Sequence, residues 1–125
     1  LLDLYGDRAK LHVVHEGLKI RQDLPRYFVG GETEAVFAVG QADSHLIGLA
    51  RGRAGVTGEA GIGVITLATR RPLRLEERGG WTGTTVTLPE GEWLDRLTGR
   101  TYEATAPLSE VLDVFPTALL VKQDV

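Results

Sequence analysis

The sequence predicts a mainly β protein, an antiparallel β-sandwich preceded by one N-terminal α-helix. Short segments with strand-like patterning follow one another after residue 25: Ala35–Val39, His45–Arg51, Gly61–Thr69, Thr84–Leu88, Glu92–Leu97 and Thr117–Lys122. The chain contains 16 glycines, nearly twice the usual share, and most lie between these segments, where tight turns need them. Short strands at this spacing are typical of an antiparallel sandwich. Gly61–Thr69 is apolar at successive positions, which indicates a central strand covered on both faces.

The helix is predicted over Arg8–Asp23. Asp7 stands at the N-cap position, and Leu24-Pro25 ends the helix because the residue before a proline is disfavoured in the α region. Placed at 100° steps, its apolar residues form two groups on opposite sides: Leu11, Val14 and Leu18 on one, and Val13, Ile20 and Leu24 on the other. An ordinary surface helix needs one apolar face. Two faces indicate a helix that lies between two packed bodies, or one whose free face pairs with a second copy of the chain.

Composition excludes several classes of function. With 125 residues the chain is at most one domain, and its net charge of -3 gives no basic surface for nucleic acid. No apolar run approaches the roughly 18 residues of a membrane span, and no signal peptide is visible, so we expect a cytoplasmic protein. The absence of cysteine excludes disulfides, thiol catalysis and Cys-ligated metals. The absence of methionine leads us to expect a piece of a longer protein.

The three histidines do not predict a metal or catalytic site. His12 and His15 are three residues apart on a polar stripe of the helix, whereas zincin chemistry needs i, i+4 spacing and a third ligand. We therefore expect both to be solvated. His45 opens a strand and has no Ser or Cys partner at a recognisable spacing. We predict no metal ligand and no cofactor-binding residue.

Two other sequence patterns, a glycine-rich segment and a set of carboxylates, do not indicate a binding or catalytic site. The glycine-rich segment 52–63 lacks the Lys-Ser/Thr pair of a phosphate-binding loop and connects strand to strand, so it is predicted to be a hairpin loop. No spacing places two of the carboxylates across a cleft as a glycosidase pair. These carboxylates are Glu76, Glu77, Glu90, Glu92, Asp95, Glu103 and Glu110. We therefore predict no catalytic residue in the chain.

The two tryptophans are the candidates for contact with a sugar, because aromatic faces stack on pyranose rings. Trp93 lies beside Leu94 and is expected in the core. Trp81 follows Gly79-Gly80 and is expected to be partly exposed. Arg70-Arg71 is expected to be a solvated strand end. The segment Leu108–Leu112 is either a short strand or one helical turn.

The order of several short motifs resembles the end of the catalytic barrel and the following β-domain of the maltooligosyl trehalose synthase family, within the α-amylase superfamily. The resemblance begins with Lys10-Leu11, Leu18, Arg21, Pro25, Phe28, Gly31 and Gly40 and continues with His45–Arg51. It proceeds through Trp81-x-x-Thr84, Leu88-Pro89-x-Gly91-x-Trp93, Leu97-Thr98-Gly99 and Phe115–Leu120. It covers most of the chain, with gaps at 52–61 and 103–107. Thr33 stands where the family usually carries an aromatic residue.

The resemblance implies a Greek-key sandwich of the type that ends α-amylase superfamily enzymes. Residues 1–25 would be the last helix of an upstream catalytic (β/α) barrel with its linker, and residues 26–125 the C-terminal β-sandwich. The family's reaction is an intramolecular transglucosylation, which converts the reducing-end α-1,4 bond of a malto-oligosaccharide into an α,α-1,1 bond. The nucleophile and acid/base of such barrels lie on barrel loops, so they are expected upstream of Leu1.

The resemblance thus implies a non-catalytic domain of an isomerase of trehalose biosynthesis. Its expected partners are the barrel of the same polypeptide and, through it, the malto-oligosaccharide substrate, with a homodimer possible for the isolated chain. Two alternatives stay open. One is an α-glucan-binding module that uses Trp81 or Trp93, and the other is an unrelated sandwich that makes protein contacts.

Overall fold

A computed structural model describes residues 7–28, 31–53 and 61–123. The helices are α1 (Asp7–Asp23), α2 (Pro72–Glu77) and α3 (Leu108–Val111). The strands are β1 (Thr33–Val36), β2 (Ala38–Val39), β3 (Leu46–Gly52), β4 (Ile62–Thr69), β5 (Thr85–Asp95), β6 (Thr101–Pro107) and β7 (Thr117–Lys122). Short 3₁₀ turns at Pro25–Tyr27 and Asp43–His45 complete the described secondary structure.

The strands form one antiparallel sheet in the order β1-β3-β4-β7-β5-β2, with β6 paired to β5. Only Phe37 separates β1 from β2, yet β1 pairs with β3 and β2 pairs with β5 at the other end of this order. The sheet must therefore curl on itself so that its two ends meet near Phe37. The predicted fold class is confirmed: a mainly β, antiparallel domain with one main helix. Its sandwich-like core is enclosed by a single curled sheet.

Several boundaries differ from the sequence-based expectation. The strand predicted over Ala35–Val39 is interrupted at Phe37, and the two strands predicted over Thr84–Leu88 and Glu92–Leu97 are one strand, β5. Pro89 and Gly91 lie inside β5 at an irregularity where the register with β6 shifts, so a motif that resembles a turn is here a bulge in a continuous strand. Leu108–Leu112 contains the helical turn α3.

Two elements were not predicted, and both are largely polar. β6 buries only Ala106, and α2 buries only Leu75. A strand or helix that contributes one side chain to the core carries little hydrophobic periodicity. The predicted loop between β3 and β4 lies mostly outside the described residues, which resume at Gly61; the side chain of Asp7, the predicted N-cap, also lies outside them.

The apolar interior has two layers separated by β4 and β7. The layer inside the curled sheet is centred on Ile65, Leu67, Trp93 and Leu120, all fully buried. The second layer lies between the outer face of the sheet and α1. Its buried members are Ile20, Val64, Leu97, Phe115, Leu119 and Val121. β4 pairs with β3 and β7 and is covered on both faces, as its continuous apolar pattern predicted.

The segment after α1 is held close to the sheet. The Leu24 backbone N–H donates to the Ile20 carbonyl at 2.8 Å, and Tyr27 then lies against β4 at Gly63. A Cβ built at Gly63 would overlap the Tyr27 ring, so glycine is needed there for this close approach. The position of α1 on the sheet is therefore fixed at its C-terminal end as well as along its length.

Candidate docking surface on the N-terminal helix

The inner face of α1 packs on the sheet. Ile20 is 1% exposed, and Val13 and Leu24 pack against the same cluster, which includes Val64 and Leu119. These contacts identify the side of the helix that belongs to the β-domain. Of the two apolar groups predicted on the helix, the one formed by Val13, Ile20 and Leu24 therefore packs on the sheet. The sequence alone does not distinguish the two groups.

One edge of α1 is tied to the sheet by polar groups. Nε2 of His12 lies 3.1 Å from the Leu97 carbonyl oxygen, and the His12 ring lies 5.4 Å from that of Phe115. Arg96 approaches the helix carboxylates of Glu16 and Asp23 at 3.6 and 3.4 Å. The expectation of two solvated histidines is thus wrong for His12, which is half-buried against the turn after β5. It holds for His15, whose side chain is 73% exposed.

The outer face of α1 is apolar and uncovered. Leu11, Val14 and Leu18 are 68%, 56% and 63% exposed. Single exposed apolar side chains are normal on protein surfaces. Three at i, i+3 and i+7 of one helix instead form a contiguous stripe, which is the pattern of a contact surface. We call these three residues the outer face.

A groove of about 310 Å³ runs along this outer face. Val14, Gly17 and Leu18 line it from the helix, while Thr66 and Leu119 line it from the sheet. The lining is completed by Ile20, Arg21, Phe28, Arg51 and Val64. The surface of the domain therefore offers a stripe of apolar side chains with a cavity beside it.

The apolar surface continues past the groove onto the outer side of β3. Leu49 pairs in register with Thr66, so the two residues share one face of the sheet. Ile47, two residues before Leu49, lies on that face too and is 56% exposed. Helix and sheet therefore present one continuous surface, larger than the helix alone.

Two arginines border the groove above one aromatic ring. The guanidinium carbon of Arg21 lies 5.3 Å from the centre of the Phe28 ring, and that of Arg51 lies 4.9 Å from it. Cation–π attraction holds both guanidinium groups over the ring. This cluster could not be predicted from the sequence, because its members come from a helix, a linker and a strand.

Neither tryptophan presents a face to solvent. Trp93 is fully buried, and its indole N–H donates to the Pro89 carbonyl at 3.0 Å. The sequence predicts partial exposure for Trp81, but this side chain is only 8% exposed and belongs to the inner core. The turn that follows Gly79-Gly80 folds the indole inward. Neither ring can therefore stack on a sugar in this structure.

His45 has a structural role at the start of β3. His45 is buried, and its Nδ1 lies 2.8 Å from the Arg70 carbonyl oxygen, which ties the start of β3 to the end of β4. Arg70 and Arg71 are exposed, as expected for a solvated strand end. Among the residues that the structure describes, no three His, Cys, Asp or Glu side chains are grouped as a metal site would require.

Asp95 is the one buried carboxylate of the predicted set. Its Oδ1 accepts hydrogen bonds from the backbone N–H groups of Leu97 at 2.9 Å and Leu119 at 3.3 Å. Burial raises the pKa of Asp95 above its ordinary value, although these two bonds and the Thr98 side chain act in the opposite direction. Asp95 thus joins the turn after β5 to β7. The other six carboxylates of the set are exposed.

No described helix has both the length and the apolar character needed to cross a membrane. No family model matches the chain. Two sequences called putative maltooligosyl trehalose synthase, from two strains of Mycobacterium tuberculosis, are each 33% identical over 115 residues. The match covers 92% of this chain and 14% of those proteins.

Solved structures agree with the sequence comparison. The maltooligosyltrehalose synthase of Arthrobacter ramosus and its S44P mutant share 38% sequence identity with the chain at a TM-score of 0.74. These matches cover 90% and 89% of this chain and 13% of the Arthrobacter chains. The chain thus spans about one seventh of the length of its relatives, and over that span it belongs to the maltooligosyl trehalose synthase family as one domain of that enzyme.

Proposed function

We propose that this chain is a non-catalytic, C-terminal domain that packs on the catalytic barrel of a larger polypeptide and stabilises it. The uncovered outer face of α1 is the observation that carries the proposal. The inner face packs on the β-domain, so the same helix has a second apolar side for a second body. The parent enzyme would rearrange the reducing-end α-1,4 bond of malto-oligosaccharides to an α,α-1,1 bond in the cytoplasm, as an isomerase of trehalose biosynthesis.

The size of the apolar surface fits a permanent contact between domains. Complete burial of a leucine or valine side chain contributes roughly 1.5–3 kcal/mol. Burial of Leu11, Val14 and Leu18 together would therefore contribute several kcal/mol, comparable with the stability of a small domain. The adjacent outer side of β3 would extend the contact. Covering this surface also removes an apolar stripe that promotes self-association.

The distribution of carboxylates supports a non-catalytic role for the described residues. A retaining glycosidase-type reaction needs two carboxyl groups about 5 Å apart. The only buried carboxylate of the predicted set, Asp95, is bonded to backbone amides. We therefore expect the isolated chain to form no trehalose-ended product from maltopentaose, and formation of such a product would contradict the proposal.

The α-glucan-binding alternative relied on Trp81 or Trp93, and both are buried. A titration of the isolated chain with maltoheptaose by calorimetry separates this alternative from the proposal. We expect this titration to show no heat of maltoheptaose binding to which the Trp81 or Trp93 indole contributes.

The Leu18→Asp substitution tests the docking role. In the longer polypeptide, the charge would be placed at the interface, and we expect the β-domain to uncouple from the barrel. Calorimetry would show two unfolding transitions in place of one, and limited proteolysis would release a fragment that contains the β-domain. In the isolated chain, the same change should abolish any dimer detected by sedimentation.

Leu73→Asp is the matched control, because Leu73 is 75% exposed on α2 and lies outside the outer face. Equal effects of the two substitutions, or an unchanged single transition with Leu18→Asp, would contradict the proposal. An isolated chain that stays monomeric at high concentration would also contradict the idea that the outer face is a contact surface.

A further inference from the structure

We infer that the groove beside α1 receives an apolar side chain of the catalytic barrel that is followed by a carboxylate, and that the carboxylate pairs with Arg21 and Arg51. This inference rests on the proposed function, since it names the chemistry of the barrel segment that meets the outer face. Three features of the groove carry it: a glycine with empty space beside it, a wall of apolar side chains, and two arginines that pair with no carboxylate among the described residues.

Gly17 is the first feature. It lies inside α1, where glycine is destabilising relative to alanine. A Cβ built at Gly17 would meet no atom within 4 Å, so nothing in the β-domain requires glycine there. The space that Gly17 leaves opens into the groove. A glycine that the domain itself does not need is explained if another body approaches the helix at this point.

The walls of the groove are the second feature. Val14 and Leu18 line the groove beside Gly17 on the helix, and Leu119 and Phe28 contribute further apolar lining. The volume of about 310 Å³ equals about ten water molecules at roughly 30 Å³ each. One large apolar side chain would displace several of these waters from apolar walls, which is favourable. The groove therefore fits an aliphatic or aromatic side chain.

The two arginines are the third feature. Arg21 and Arg51 hold their guanidinium groups over Phe28, at the border of the groove. None of the ion pairs formed by the described residues includes either arginine. Each guanidinium group can donate two parallel hydrogen bonds to a carboxylate, so this border of the groove favours an acidic group. The complementary partner is thus an Asp or Glu adjoining the inserted side chain.

A zero-length cross-link tests the charge pairing in the longer polypeptide. The Arg51→Lys variant places an amine at the same site, and a carbodiimide joins an amine only to a carboxylate in direct contact. We expect mass spectrometry to find position 51 linked to an Asp or Glu outside these 125 residues. Arg74→Lys on α2 is the control and should give no such link. Links from position 51 only to acids within the chain, or none, would overturn the inference.

Filling the groove tests the inserted side chain. Gly17→Leu should leave the isolated chain as stable as before or raise its unfolding midpoint, because the space at Gly17 is empty and leucine favours the helix. In the longer polypeptide, the same change should uncouple the domains, as seen by two unfolding transitions. Unimpaired coupling with Gly17→Leu would show that nothing enters the groove and would overturn the inference.

Charge reversal separates this inference from the proposed function. Arg21→Glu together with Arg51→Glu should weaken domain coupling, whereas Arg74→Glu should not. If Leu18→Asp uncouples the domains and the double reversal does not, the docking role stands and the carboxylate partner is wrong. If neither change affects coupling, both are wrong. Circular dichroism of each variant as the isolated chain verifies that the β-domain is folded.

Discussion

Replacement of Ile20 by alanine should strongly destabilise the isolated chain, whereas replacement of Leu18 by alanine should leave its stability nearly unchanged. Ile20 is 1% exposed between α1 and the sheet, and Leu18 is 63% exposed two residues earlier. Truncation of a buried aliphatic side chain removes its burial and leaves a cavity, at a cost of about 2–5 kcal/mol. Substitutions at exposed positions usually change stability by less than about 0.5 kcal/mol.

The pair is closely matched, because both residues are aliphatic, four-carbon side chains in the same helix and both are changed to alanine. Urea unfolding followed by circular dichroism measures both free energies of unfolding. The measurement is made at low protein concentration, so that self-association through the outer face does not contribute. Comparable losses for the two variants would mean that the faces of α1 are not distinct.

Removal of the Asp95 carboxyl group should destabilise the chain about as much as the Ile20 change. In Asp95→Ala, the backbone N–H groups of Leu97 and Leu119 lose their acceptor inside the protein. Each unsatisfied buried group costs about 1–3 kcal/mol, so we expect the two together to cost roughly 2–6 kcal/mol. Asp95→Asn keeps an oxygen that can accept both bonds and should be much less harmful. Equal losses for the two variants would contradict this role of the oxygen.

Asp95 should also make the free energy of unfolding depend on pH in a direction that can be predicted. Burial raises its pKa in the folded state above the ordinary value of 3.8, so the folded chain holds this proton more tightly than the unfolded chain. The stabilising contribution of the protonated form is complete below about 3.8 and is lost as the pH rises through the folded-state pKa. Asp95→Asn stays neutral throughout. Its free energy of unfolding, relative to the unsubstituted chain, should therefore increase as the pH rises through this window.

Urea midpoints of both proteins between acidic and neutral pH measure this difference. Because the remaining carboxylates are the same in both proteins, their contributions largely cancel in the comparison. A difference that does not change with pH would show that the pKa of Asp95 is the same in the folded and unfolded chains. A change of the opposite sign would show that folding lowers this pKa, and either result would contradict the prediction.

Much of the fold could be read from local pattern. Gly61–Thr69 and Thr117–Lys122 are apolar along their lengths, and they form the two strands that separate the two layers of the core. The double apolar pattern of residues 8–24 is matched by a helix with one face packed and the other exposed. These segments bury enough apolar side chains to produce a recognisable pattern in the sequence, a continuous apolar run in the two strands and a helical period in α1.

The parts that could not be predicted depend on tertiary contacts. Nothing local places a strand break at Phe37; the break occurs where the curled sheet closes. Trp81 follows two glycines and looks exposed, yet the turn brings it into the core. His12 belongs to a polar stripe, but the turn after β5 covers it. The cluster of Arg21, Phe28 and Arg51 exists only because the linker folds back over β3.

The most direct test of a helix shared between two bodies is the accessibility of its outer face. The chain contains no cysteine, so Leu18→Cys introduces one thiol, and Leu73→Cys on α2 provides the control. Mass spectrometry measures the rate of thiol alkylation at each position, in the isolated chain and in the longer polypeptide. We expect the thiol at position 18 to react freely in the isolated chain and at least an order of magnitude more slowly in the longer polypeptide, with position 73 fast in both. Equal rates at position 18 in the two proteins would show that no second body covers α1.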